Sequence, residues 1–171
     1  MINKEMQKSI IQVGGAIVSF LIVIMFLFAL YSLNLPKGVE GQSTITLFDF
    51  WEARSNGTEL PPLMITIAIT YTFTLVCAVL STIFFIISIY WDNKKILNFA
   101  IGTLYSATLL SFIGTTCIAV SVRMVNESAP FLDLAYKSIS MGISSIIIPL
   151  LCLALSILII VLKYAIRIKD E

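Results

Sequence analysis

Polar and apolar residues fall into long blocks along this chain instead of alternating at short range. Apolar runs cover about 10–33, 63–90, 96–122 and 138–162, separated by polar connections over 34–62, 91–95 and 123–137. About 20 apolar residues are enough for a helix to cross the hydrocarbon core of a bilayer, and each run is that long. The pattern predicts an all-α integral membrane protein, one domain over 1–171, with four transmembrane helices in an up-down bundle. The run from Ile10 to Leu33 carries no charge. It is longer than the apolar core of a signal peptide and lacks a small-residue cleavage pattern, so it is read as a retained first helix. The break Trp91-Asp92-Asn93-Lys94-Lys95 is so short that the helices on either side must run antiparallel as neighbours.

Within the second and third runs, small residues recur at a spacing of four. One set is Thr66, Thr70, Thr74, Ala78 and Thr82; the other is Thr103, Ala107, Ser111, Thr115 and Ala119. Such ridges let a neighbouring backbone approach closely. Because a helix turns once per 3.6 residues, a spacing of four drifts by about 40° per step, so each ridge reaches two neighbours. Thr70, Thr74, Ala78, Ala107, Ser111 and Thr115 are therefore candidates for helix packing, or for lining a polar path if several copies surround a pore. Gly14, Gly15 and Ser19 offer a further close-packing patch. Ser138, Gly142, Ser144 and Ser145 do the same before Pro149, where a kink is expected.

The connection over 34–62 is the longest and most individual. It opens on the turn signal Asn34-Leu35-Pro36-Lys37-Gly38 and closes with Asn56-Gly57 and Pro61-Pro62. Ser43 to Leu47 alternates as a short strand does. Thr46 followed by Asp49 reads as a helix N-cap. Leu47, Phe48, Phe50 and Trp51 then form an amphipathic turn suited to the membrane surface. Phe48, Phe50 and Trp51 are the candidate partner-binding residues, since exposed aromatics often anchor recognition.

Composition narrows the class further. The chain is 58% hydrophobic and 12% charged, with a mean hydropathy of +0.99, so lipid is its solvent. A net charge of +1 lacks the basic face that nucleic acid requires. Cys77, Cys117 and Cys152 all lie inside apolar runs, as small hydrophobes, and the outer connections contain no cysteine for a disulfide framework. With no histidine in the chain, no metal or cofactor is expected.

Charge also orients the chain. Lys4, Lys8, Lys94, Lys95, Lys163, Arg167 and Lys169 fall on the side of the termini; Lys37, Arg54, Arg123 and Lys137 fall on the other. Cytoplasmic flanks collect Lys and Arg, so both termini are expected in the cytoplasm and both longer loops outside. The lean towards Ile and Lys with compact loops fits a bacterial plasma membrane. The tripeptides Asn56-Gly57-Thr58 and Asn126-Glu127-Ser128 match the glycosylation pattern and lie in the outer loops, and they are read as chance matches.

Chemistry is sparse. The centres of the spans carry no charge, which argues against proton relays and buried ion-pair switches. The outer loops hold Glu40, Asp49, Glu52, Glu59, Glu127 and Asp133, from which an acid–base pair could be drawn, and they are read as a solvated face. No phosphate-binding glycine loop is present. Four spans with a larger first outer connection resemble the plan of claudin-type and other tetraspan proteins. The claudin loop pattern of Gly-Leu-Trp and paired cysteines is absent, Trp51 standing alone, so no functional residue is carried across. The expectation is a non-catalytic accessory or interaction subunit. Its partners would be the bilayer and another membrane protein or a second copy. The alternative is a homo-oligomeric channel or solute pathway.

Overall fold

The computed structural model describes residues 4–34, 44–91, 93–128 and 138–167. In chain order these form α1 (Lys4–Met25), β1 (Tyr31–Asn34), β2 (Thr44–Ile45), α2 (Leu47–Ser55), α3 (Pro62–Tyr90), α4 (Lys94–Ser128), β3 (Ser138–Met141) and α5 (Ile143–Arg167). α1, α3, α4 and α5 are the four helices long and apolar enough to cross a membrane.

Those long helices form a closed ring. α3 and α4 pair antiparallel across their short connection, with the Ser81 hydroxyl donating to the Ala100 carbonyl at 3.0 Å. Asn93 starts α4 by accepting from the Lys95 amide at 2.9 Å. α1 lies beside α3, where the Gln12 amide donates to the Ser88 carbonyl at 2.6 Å and Ser19 meets Ser81 at 3.3 Å. Gly15 permits that approach, because a Cβ there would overlap the Phe85 ring. α5 closes the ring against α4, with Thr108 and Ser156 2.9 Å apart. The outward faces carry large apolar side chains such as Phe20, Phe73, Leu109 and Leu150.

Two of the predicted boundaries move for one shared reason. The first apolar run is not a helix throughout: α1 stops at Met25, and the chain tightens through turns in which Phe26, Leu27 and Phe28 donate to carbonyls three residues back. The last run likewise starts as β3, so α5 begins at Ile143 and not near Ser138. Hydrophobicity alone does not separate a buried strand from a helix; here hydrogen bonds between distant segments decide. β1 pairs antiparallel with β3 from Tyr31–Met141 to Asn34–Ser138, and with β2 through Tyr31–Ile45 and Ser32–Thr44. The result is a three-stranded sheet in the order β2-β1-β3. Of the expected strand over Ser43–Leu47, Thr44–Ile45 forms β2 and Leu47 already begins α2, while Ser43 lies outside the described residues. α4 runs on beyond Val122 to Ser128, with Arg123 and Glu127 paired one turn apart at 2.7 Å.

The sheet and α2 make a cap on one end of the bundle. α2 carries the expected N-cap in full: the Thr46 amide donates to the Asp49 carboxylate at 2.6 Å, and the Asp49 amide to the Thr46 hydroxyl at 3.4 Å. It ends at Asn56, and Gly57 reverses the chain with a φ of 83° that other residues rarely adopt.

Candidate functional site

Two regions hold the residues singled out from the sequence: the hydroxyl-rich interior and the rim of the cap.

In the interior, Thr70, Thr74, Ala78, Ala107 and Ser111 are buried, and Thr115 is half-buried. Their hydroxyls are occupied. Thr70 donates to the Thr66 carbonyl, Thr74 to the Thr70 carbonyl at 2.8 Å, and Ser111 to the Thr108 carbonyl at 2.8 Å. Thr66, Ser106 and Thr116 point outward and bond their own helices. Among the described residues, no buried side-chain nitrogen or oxygen lacks a partner.

Thr115 and Tyr71 meet at the break that Pro149 makes in α5. Proline has no amide hydrogen, so the carbonyl four residues earlier, on Ser145, loses its helical partner. Thr115 supplies one at 2.9 Å, and the Tyr71 phenol lies 3.5 Å from the same oxygen and 2.9 Å from the Thr115 hydroxyl. Three helices are thereby tied at one level, which is how a proline is accommodated in a span surrounded by lipid. Gly114 makes the approach of the Tyr71 ring possible, since a Cβ there would overlap it.

A second crossing joins the cap to the bundle. The carbonyls of Ala29 and Leu30, between α1 and β1, meet the donors left free where α5 begins. Gly142 donates its amide to Leu30 at 2.7 Å, Ser144 its amide to Ala29 at 3.1 Å, and the Ser144 hydroxyl reaches Ala29 at 2.6 Å. Tyr31 adds a hydrogen bond to Ser121 of α4. Burial pushes its phenol up to about 12, against the opposing pull of the Ser121 contact, so it remains protonated. Asn126 clamps the outer edge of β3: its amide group donates to the Ile139 carbonyl at 2.8 Å and accepts from the Ile139 amide at 2.9 Å. The sequence reading saw Asn126 only in a modification tripeptide. Its strand-pairing role has no local signal, because Ile139 belongs to a different segment.

At the rim, the aromatic trio divides. Phe50 is only 4% exposed and packs on Tyr31 with ring centroids 6.0 Å apart. Its place in a presented face is a correction to the sequence reading: α2 turns Leu47 and Phe50 inward together. Phe48 and Trp51 stay 51% and 42% exposed. The Trp51 indole donates to the Thr72 hydroxyl of α3 at 2.9 Å. Between α2 and the start of α3 lies a crevice of about 240 Å³, lined by Ile45, Asp49, Phe50, Ala53, Leu60 and Met64. Its one carboxylate, Asp49, serves the N-cap. Glu52 and Glu59 are exposed, and Glu127 pairs with Arg123. Glu40 and Asp133 lie outside the described residues. Among the described residues, no three His, Cys, Asp or Glu side chains gather where a metal ion could sit. Compared with protein-family models, curated proteins and solved structures, the chain matches none of them.

Proposed function

We propose that this chain is a four-span protein of a bacterial plasma membrane, with both termini in the cytoplasm and the cap outside. In this reading it works without catalysis, as an accessory subunit that binds another membrane protein in the plane of the bilayer. The observation that supports it is the division of polar and apolar groups. Among the described residues the interior hydroxyls all have partners, on their own helix or on a neighbour, and the surface offers apolar helix faces and the Phe48–Trp51 rim. A surface of this kind suits contact with another apolar surface better than chemistry on a soluble substrate. Its anchors are Phe48 and Trp51, with Phe50 holding α2 to the sheet.

The test is cross-linking in the native membrane followed by purification in mild detergent. One defined adduct is expected, weakened in the Phe48→Ala, Trp51→Ala double variant. A wild-type chain recovered only as an uncross-linked monomer would sink the proposal.

A further inference from the structure

The level of Trp51 along the bundle can be measured from two directions. From Tyr90, where α3 ends beside Lys94 and Lys95, to Thr72 the helix climbs about 27 Å at about 1.5 Å per residue. The hydrocarbon core is about 30 Å thick. Thr72 therefore lies just inside the far boundary of that core, and the indole bonded to it lies at the same depth.

The other direction gives the same answer. The phenol of Tyr71, the neighbour of Thr72, reaches the Ser145 carbonyl of α5, and the turn after α1 is bonded to Ser144. Around the bundle at this level, Phe28, Phe73, Ile143 and Ile146 are all exposed. Bare apolar side chains on several separate elements at one height mark a layer that water does not occupy. Trp51 stands in that ring. Phe48, one turn earlier on α2, shares its exposed face, while Leu47 and Phe50 face the protein.

We infer that α2 is a lipid-seated arm: Phe48 and Trp51 insert among the phospholipid acyl chains of the cap-side leaflet, with the Trp51 indole hydrogen-bonded to Thr72 at the headgroup boundary. Trp is suited to this place because its ring is apolar and its N–H needs a partner. The seat holds the cap down on the membrane, and any protein that reaches Phe48 and Trp51 must come through the bilayer. The inference rests on the membrane-spanning reading of the four helices and not on the presence of a protein partner. Its failure and that of the interaction reading are therefore told apart.

The chain has two tryptophans, and Trp91 is exposed at the opposite end, so Trp91→Phe leaves Trp51 as the sole reporter. The variant is reconstituted in phosphatidylcholine vesicles brominated either near the acyl carbonyl or near the chain end. A parallel sample receives acrylamide in the water phase. Carbonyl-proximal bromines should quench Trp51 about twofold more than terminal ones, and acrylamide should quench it less than a free indole in buffer. Acrylamide quenching equal to that of free indole, or stronger quenching by the chain-end bromines, would overturn the inference. If Trp91→Phe does not fold, the difference between the wild type and Trp51→Phe reports the same signal.

Discussion

Gly142 shows how far one side chain reaches in this fold. It lies where the chain leaving α1 crosses the start of α5, and a Cβ there would run into the Ala29 carbonyl, which is backbone and has nowhere to go. Gly142→Ala should therefore destabilise by about 1–3 kcal/mol, as overpacking does, read as a lower thermal midpoint in detergent. Gly102, with open space around it on α4, is the control: Ala there should be neutral or stabilising by about 0.5–1 kcal/mol, as expected within a helix. Equal losses at both positions would remove the crossing as the cause. Gly142 stood out in the sequence as part of a small, hydroxyl-rich patch. That its neighbour would be the carbonyl of Ala29 was not readable, because the two are brought together by folding alone. Pro149 is the opposite case, since the carbonyl it frees is set by the rule of four residues, and only the identity of its new donors needed the structure.

Among the elements, α2 depends most on its surroundings. A helix of nine residues is too short to persist alone. It is held by its N-cap, by Phe50 against Tyr31 and by Trp51 on Thr72. Asp49→Ala should remove about 1 kcal/mol of local support. Faster amide exchange at Phe48 to Phe50 is expected, with the thermal midpoint of the bundle unchanged. An unaltered exchange rate would mean that the tertiary contacts alone fix α2. The start of this helix was legible because Thr46 and Asp49 are local partners. Its inward face was not: Leu47, Phe48, Phe50 and Trp51 are all apolar, and a nine-residue pattern leaves the rotation to be chosen by Tyr31 and Thr72. The strands were harder still. A free strand edge is satisfied only by a partner, and β1 and β3 lie in separate apolar runs, far apart in the chain.

At the scale of the whole molecule, the bundle has a cap end and an end where both α1 begins and α5 finishes, and the basic residues favour the latter. Reporters fused to either terminus should respond from the cytoplasmic side. A small tag inserted after Gly57, at the exposed turn following α2, should be reached only from the other side. A terminus reached from outside would reverse the orientation and move the cap into the cytoplasm. The sequence by itself determined the four apolar spans and the antiparallel hairpin of α3 and α4. Hydrophobic length and a short connection are local quantities, and they bear on the fold without knowledge of neighbours. Tertiary structure alone decided where α1 gives way to β1, that β3 joins it, and that Phe50 turns inward while Phe48 and Trp51 stay out. Each of those choices is made by hydrogen bonds and ring contacts between segments far apart in the chain, and composition is blind to them.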